Sequence, residues 1–208
     1  MFLIDGAGIL QEHTQVLMNN NRQASLFPLL ETERLILREL RAGDVEAIFQ
    51  FLSDEEVVRY YDQPMIHLQQ AYNLIQRHRT RFENGEAIRW GITIKGENRV
   101  VGSCGFFRDI TNFYAGISYV LDRPYWNKGF MTEALQAMIP FGFNSYHLNR
   151  IEAHIAQPNQ ASQRVLEKLG FREEGILRQR LFENNRFHDE KVFSLLKSDD
   201  VGQKHMRM

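Results

Sequence analysis

The stretch from Leu121 to Leu135 constrains the fold more than any other part of the sequence. The residues before it, Tyr114 to Leu121, are rich in β-branched and aromatic types, which are typical of a strand. The residues after it, from Phe130 to Ile139, repeat apolar side chains at helical spacing. A short turn that contains Lys128 and Gly129 lies between them. The stretch therefore predicts a strand, a tight turn and the start of a helix.

This turn has the chemistry of an anion site. The first N–H groups of a helix have no partner within the helix, and they carry partial positive charge. A glycine lets a large anion approach these N–H groups closely, and Lys128 adds a full positive charge. The backbone from Asn127 to Thr132 is therefore a candidate cradle for a pyrophosphate. An ordinary turn is the alternative interpretation of Gly129.

Length and composition narrow the class of protein. A chain of 208 residues that is 43% apolar is expected to form one α/β domain. The formal net charge of −1 does not indicate a nucleic-acid-binding face. The one cysteine, Cys104, excludes an internal disulfide and suits a reducing compartment. No apolar run approaches the ~18 residues that span a bilayer, and Met1 to Asp5 does not resemble a secretory signal. We therefore predict a soluble cytoplasmic protein that binds neither nucleic acid nor membrane.

The remaining elements follow from periodicity, turns and caps. We predict one strand over 30–40, a helix over 45–52 with Asp44 as its N-cap, and a short helix before Pro64. The helix after the turn is expected to kink or end near Ile139, with a frayed continuation to Ser145, because Pro140 removes a backbone hydrogen bond. Asn159 and Gly170 are expected to start and stop another helix. The other predictions are a helix over 67–83, strands over 88–95, 99–107, 113–121 and 150–156, and a final hairpin of strands 172–182 and 187–197.

The chain divides into a folded domain and two terminal segments. Residues 1–27 are predicted to form an N-terminal extension with a short amphipathic helix near Ile9 to Leu17. This extension is interpreted either as a loosely docked segment or as an oligomer contact or lid. Residues 28–198 form the predicted domain, and residues 199–208 form a flexible tail.

Three segments, in this order, resemble the GNAT-superfamily N-acetyltransferases, and within them the branch of the ribosomal-protein N-terminal (alanine/serine) acetyltransferases. The segment from Leu30 to Arg38 is similar to the first strand of that branch. Tyr125 to Ala134 is similar to its acetyl-CoA pyrophosphate loop, and Asn159 to Phe171 is similar to its second motif. The loop departs from the general family pattern, because Trp126 stands where Gln or Arg is usual and Met131 replaces a small residue. The resemblance covers residues 30–197.

The resemblance implies an α+β GNAT fold, in which helices flank a mixed, mostly antiparallel central sheet. The strands 113–121 and 150–156 would run parallel and splay apart, and acetyl-CoA would bind in the splay as co-substrate. No metal is expected, since the histidines show no metal-ligand spacing. The implied cofactor-binding residues are Tyr119, Val120, Leu121, Trp126, Asn127, Lys128, Gly129, Phe130, Met131, Thr132, Asn159 and Ser162.

The catalytic residues are less clearly indicated. The resemblance implies that Ser162 donates a proton to the leaving sulfur, although helix capping alone also explains a serine there. The branch often carries a glutamate at the position of Gly116, and some members carry another at the position of Leu181, so this chain lacks the usual general base. Glu183, His154 and Glu152 are the alternative bases, and structural roles for them stay open. Phe107 and Tyr114 are candidate acceptor-binding residues.

The resemblance implies an acetyl-CoA-dependent N-acetyltransferase that transfers acetyl directly to a primary amine in a ternary complex. A peptide or protein N-terminal α-amine is the preferred acceptor. The alternatives are a small amine, such as a polyamine, amino acid or antibiotic, and a non-catalytic acetyl-CoA-binding regulator. The protein is expected to be a monomer or homodimer.

Overall fold

The computed structural model describes residues 26–60, 63–109, 111–183 and 186–199. Within them, one sheet of 8 strands has the order β1-β2-β3-β4-β5-β6-β8-β7. The strands are β1 (Leu30–Glu31), β2 (Leu35–Glu39), β3 (Ala87–Ile94), β4 (Val100–Asp109), β5 (Tyr114–Leu121), β6 (Arg150–Ala156), β7 (Arg172–Glu183) and β8 (Arg186–Leu196). The helices are α1 (Val45–Leu52), α2 (Glu55–Val58), α3 (Leu68–Glu83), α4 (Phe130–Ser145) and α5 (Gln160–Lys168).

The sheet is mixed and mostly antiparallel, as predicted. Only the β5–β6 pair is parallel among the strand pairs of the described chain. The predicted meander of β3, β4 and β5 is confirmed. The prediction of one strand over 30–40 is wrong, because the chain turns at Thr32 and β1 pairs back onto β2. The Leu35 N–H donates to the Thr32 hydroxyl at 2.9 Å, which closes this turn.

Helices cover both faces of the sheet. We call the side that carries α1, α2 and α3 the first face, and its core includes Ile48, Phe51 and Ile75. The side that carries α4 and α5 is the second face, with Trp90 and Met138 in its core. Burying one such side chain contributes about 1.5–3 kcal/mol, so the two cores hold the sheet between two helical layers.

Asp44 precedes α1, but its carboxylate does not cap that helix. It accepts a hydrogen bond from the Arg41 N–H at 2.8 Å and two from the Arg38 guanidinium at 2.8 Å each. Arg38 is only 8% exposed, and a buried cation needs a partner charge. Asp44 therefore stands at the predicted N-cap position, but its carboxylate neutralises Arg38 instead of accepting a hydrogen bond from the helix.

The helix α4 runs through Pro140 to Ser145, so it does not end near Ile139. Leu135 and Ile139 before the proline and Phe143 after it are all buried. Packing of these side chains outweighs the one hydrogen bond that the proline removes.

The predicted start and stop of α5 are confirmed. The Asn159 side chain accepts a hydrogen bond from the Ser162 N–H at 3.0 Å, as an N-cap does. Gly170 has a φ of 83° and follows the end of the helix. The predicted helix near Ile9 to Leu17, most of the predicted tail and the tip of the final hairpin lie outside the described residues. Within the described ranges, none of the helices is long and apolar enough to cross a membrane.

Candidate active site

A cleft opens where the two parallel strands part. Register pairs join β5 and β6 only from Tyr114 and Arg150 to Gly116 and Glu152. Beyond these pairs, the described residues of the two strands no longer face each other, and a cavity of about 440 Å³ lies there. It is lined by the ends of β5 and β6, by the loop from Tyr125 to Thr132, and by α5. The splay that the resemblance implied is thus present.

The loop after β5 presents a helix start to the cleft. The Trp126 indole N–H donates to the Leu121 carbonyl at 2.6 Å, which ties the loop to the end of β5. Asn127 and Gly129 have φ values of 58° and 80°, and α4 begins at Phe130. A left-handed glycine before a helix turns the backbone so that the first N–H groups point outward. These groups form the positive end of α4, which favours an anion.

Hydrogen bonds from the turn between β1 and β2 also hold this loop in place. The Glu133 carboxylate accepts from the Thr32 hydroxyl at 2.5 Å and from the Arg34 side chain at 2.6 Å. Arg34 also donates to the Lys128 carbonyl at 3.1 Å. Burial opposes ionisation of Glu133, but these hydrogen bonds and the charge of Arg34 hold its pKa below the usual value. The turn between β1 and β2 therefore clamps the loop.

The cleft gathers the predicted cofactor residues. All of them line it except Lys128, whose ammonium lies 5.7 Å from the Tyr125 ring centroid. The sequence analysis missed Arg164 and Lys168, which also line the cleft from α5. Their spacing of one helical turn, two residues after Ser162, was an available signal. The loop N–H groups together with Arg164 and Lys168 suit the phosphate groups of a coenzyme A molecule.

Ser162 lies in the cleft at the start of α5. Its hydroxyl oxygen is 2.6 Å from the Tyr119 hydroxyl oxygen on β5. Burial raises the pKa of Tyr119 to about 12, although the hydrogen bond with Ser162 opposes the shift. Tyr119 therefore stays protonated at neutral pH.

His154 on β6 also lines the cleft, and carboxylates flank its ring. Its Nδ1 is 3.2 Å from a Glu190 oxygen, and its Nε2 is 3.4 Å from a Glu152 oxygen. Glu152 in turn accepts from the Arg150 guanidinium at 2.6 Å. The predicted bases are thus separated, since Glu183 ends β7 and its side chain lies outside the described part of the structure.

The two predicted acceptor residues lie farther along the sheet. Phe107 pairs in register with Gly116, and Tyr114 begins β5. Neither is among the described residues that line the cleft. A Cβ added at Gly116 would have no neighbour within 4 Å, so the strand is open to solvent where the branch often carries a glutamate.

The short helix α2 brings further groups to the cleft. Glu56, Arg59 and Tyr60 line it from the first face, and Glu56 and Arg59 form an ion pair. The sequence analysis did not assign them to the site, because they precede the loop by at least 65 residues. The charged and aromatic composition of this segment was the available signal.

Two other kinds of chemistry lack a site in the described chain. Cys104 is fully buried, and burial raises the pKa of its thiol to about 12, so it is not a nucleophile. Among the described residues, no group of three His, Cys, Asp or Glu side chains is arranged to hold a metal ion.

Comparison with known proteins agrees with the fold and the cleft. Residues 34–172 match the model of the acetyltransferase (GNAT) domain. The chain is 40% identical over 175 residues to the uncharacterized N-acetyltransferase p20 of Bacillus licheniformis, which covers 83% of this chain and 98% of that protein. It is 36% identical over 96 residues to the putative ribosomal N-acetyltransferase YdaF of Bacillus subtilis (strain 168), which covers 46% of this chain and 52% of that protein.

A solved structure supports the same assignment. The crystal structure of a GNAT-family acetyltransferase from Bacillus anthracis superposes with a TM-score of 0.74 at 28% identity, over 82% of this chain and 99% of that one. The parting of β5 and β6, the loop before α4 and these matches lead to one conclusion. The chain belongs to the GNAT family and is an acetyl-CoA-dependent N-acetyltransferase.

Proposed function

We propose that this acetyltransferase modifies the N-terminal α-amine of a peptide or protein, by direct transfer in a ternary complex. The observation that carries the proposal is that one cavity contains both the candidate pyrophosphate loop and the side chains of Ser162 and His154. Ile117, the residue after Gly116, lines this cavity, and a Cβ added at Gly116 would meet no atom within 4 Å. In the proposed mechanism, the chain that follows the α-amine lies in this open space. The similarity to YdaF, a putative ribosomal N-acetyltransferase, supports a protein acceptor.

The chemistry of the amine supports the same acceptor. The nucleophile must be neutral, and an α-amine has a pKa near 7.7–8.0 whereas lysine has one near 10.4. At pH 7, deprotonation costs about 1 kcal/mol for the α-amine and about 4.6 kcal/mol for lysine. The sheet lacks a glutamate at Gly116 and Leu181, so a site with a weak base favours the α-amine.

Each cleft residue has a defined role in this proposal. The loop from Asn127 to Thr132 binds the pyrophosphate, and a backbone N–H near Tyr119 or Val120 polarises the carbonyl that is attacked. His154 accepts a proton from the amine. Acetyl-CoA supplies the activated acetyl group, and the coenzyme leaves as the thiol. Ser162 passes a proton to the departing sulfur and regains one from water, so one proton is released at nitrogen and one is taken up at sulfur.

A second acceptor class is favoured by the charges near His154. Glu152 and Glu190 lie against its ring, and Glu56 lines the cleft from α2. Carboxylates at this position would attract the second charge of a polyamine. A small polycation is therefore the alternative to a peptide.

An assay of acetyl transfer to a panel of amines, with the product identified by its mass, distinguishes the two acceptor classes. The panel contains peptides with different N-terminal residues, the same peptides with a blocked α-amine and a free lysine, polyamines, and amino acids. We expect acetylation of peptides with a free N-terminus and none of the blocked ones. Turnover of polyamines alone would replace the proposal with the alternative.

Two variants test the proposed roles. Ser162→Ala should lower kcat about tenfold or more while acetyl-CoA affinity stays the same. His154→Gln should lower kcat about tenfold or more at neutral pH, because the amine proton then loses its acceptor. Ser53→Ala, which changes a half-buried serine outside the cleft, is the matched control. Unchanged kcat in either site variant would remove that residue from the mechanism.

A further inference from the structure

Tyr119 connects the two sides of the cleft. It projects from β5, whereas Ser162 lies in the first turn of α5, and their hydroxyl oxygens are 2.6 Å apart. The Tyr119 hydroxyl is also 3.5 Å from the Ser162 carbonyl oxygen, which is a much weaker contact. The short contact between the two hydroxyls is therefore the stronger hydrogen bond. Which hydroxyl donates in it determines whether the Ser162 proton is free to point into the cleft.

The orientation of the Ser162 hydroxyl is not fixed by its own helix. Its backbone N–H is fixed by the Asn159 cap, but a serine side chain still has three staggered rotamers. A serine in a helix commonly donates its proton back to a carbonyl in the preceding turn. In that orientation the proton would be withdrawn from the cleft.

We propose that Tyr119 is a positioning residue, whose O–H donates to the Ser162 oxygen and thereby directs the Ser162 proton into the cleft. A hydroxyl oxygen accepts through its lone pairs while it donates its own hydrogen. The bond from Tyr119 fixes the Ser162 rotamer and leaves the serine proton for the sulfur. Tyr119 keeps its own proton throughout, in agreement with the effect of burial on its pKa. This inference rests on the proposed role of Ser162.

The geometry explains why a tyrosine suits this position. Tyr119 packs against the second-face core, and this packing holds its ring in place. A phenol is also a better hydrogen-bond donor than an alcohol, since its ordinary pKa is near 10. The resulting assignment makes the bond directional: tyrosine donates, and serine accepts.

The test is a double-mutant cycle with Tyr119→Phe and Ser162→Ala, which removes each hydroxyl alone and then both. Tyr119→Phe keeps the ring and should lower kcat about 2- to 10-fold, the value of one neutral hydrogen bond. The acetyl-CoA dissociation constant should change by less than about twofold. In the Ser162→Ala background, Tyr119→Phe should have no further effect on kcat.

Tyr146→Phe is the matched control. Tyr146 is another largely buried tyrosine, its ring packs against Phe141 and Arg108, and it is not among the described residues of the cleft. This variant should leave kcat unchanged, and thermal unfolding of all variants should show that each is folded.

Three results would overturn the inference. An equal fall in kcat with and without the Ser162 hydroxyl would show that Tyr119 acts independently of Ser162. An unchanged kcat in Tyr119→Phe would show that the bond does not position Ser162 for the reaction. If Ser162→Ala itself retains full activity, the proposed role of Ser162 fails, and the positioning role fails with it. The first two results leave the proposed role of Ser162 intact. A failure of the Tyr119 positioning role can therefore be distinguished from a failure of the proposed role of Ser162.

Discussion

Replacing Gly129 with alanine tests whether the backbone of the loop before α4 forms the pyrophosphate site. Gly129 has a φ of 80°, and an added Cβ would lie 3.5 Å from the Arg34 guanidinium, which is an ordinary contact. The space around the residue therefore admits the methyl group. The conformation does not, because a left-handed backbone costs a non-glycine residue about 1–2 kcal/mol.

The expected effect follows from this strain. Without ligand, the loop in Gly129→Ala can relax toward a right-handed conformation, which turns the N–H groups away from the cleft. Binding must then restore the strained backbone, so the dissociation constant for coenzyme A should rise about 5- to 30-fold. Isothermal titration calorimetry with coenzyme A measures this change, and urea unfolding measures the part of the strain that remains in the free protein.

Gly96→Ala provides a matched control. Gly96 has a φ of 86°, its added Cβ has no neighbour within 4 Å, and it lies in the turn between β3 and β4 away from the cleft. This variant carries a similar backbone strain and should lose stability without any change in coenzyme A affinity. A Gly129→Ala variant that binds coenzyme A as tightly as the original chain would refute the reasoning that the left-handed loop presents its N–H groups to the phosphates.

Two further predictions concern stability. Asp44→Ala leaves the buried Arg38 guanidinium without its partner charge. The free energy of unfolding, measured in urea, should fall by about 3–5 kcal/mol. The control Arg79→Ala removes an exposed ion pair and should change this free energy by less than about 0.5 kcal/mol. Burial, reinforced by nearby arginines, lowers the pKa of His78 to about 3. The folded state therefore binds fewer protons than the unfolded state between that value and about 6.5, so stability is highest above this window and falls through it as the pH decreases. At pH 5 the loss should be about 2 kcal/mol. Urea unfolding at several pH values should show that this loss of stability is reduced in His78→Leu. The control His147→Asn changes an exposed histidine and should retain the loss. An identical loss in the original chain and both variants would contradict the buried neutral state of His78.

The order and type of most elements could be predicted from the sequence, because local signals agreed with the tertiary structure. Asn159 is a favoured N-cap residue and Gly170 tolerates a left-handed backbone, so the limits of α5 are encoded locally. The same rules were incomplete at two positions, because Asp44 is at the N-cap position without a capping hydrogen bond and α4 does not end at Pro140. At these positions, a buried counter-charge and the packing of α4 outweigh a cap preference and a missing hydrogen bond. Such competing interactions join residues that are distant in the sequence or depend on burial, so no local pattern contains them.

The candidate site could likewise be predicted from the sequence only in part. The loop from Asn127 to Thr132 is contiguous, and its glycine and helix start are visible in the sequence. The Tyr119–Ser162 bond and the approach of α2 to the cleft join segments that are far apart along the chain. Their partners could not be identified before the sheet order was known.

The parting of β5 and β6 explains why the proposed acid, Ser162, and the proposed base, His154, come from different elements. A parallel pair that stayed in register beyond Gly116 and Glu152 would close the space between the strands with backbone hydrogen bonds. Because the pairing stops there, His154 and Tyr119 lie at the edges of an opening rather than in a continuous sheet. The second-face side of this opening receives the helix α5 with Ser162, and the first-face side receives α2. In the proposed mechanism, an amine that enters from the first face meets a thioester held from the second face, which is the geometry that direct transfer would require.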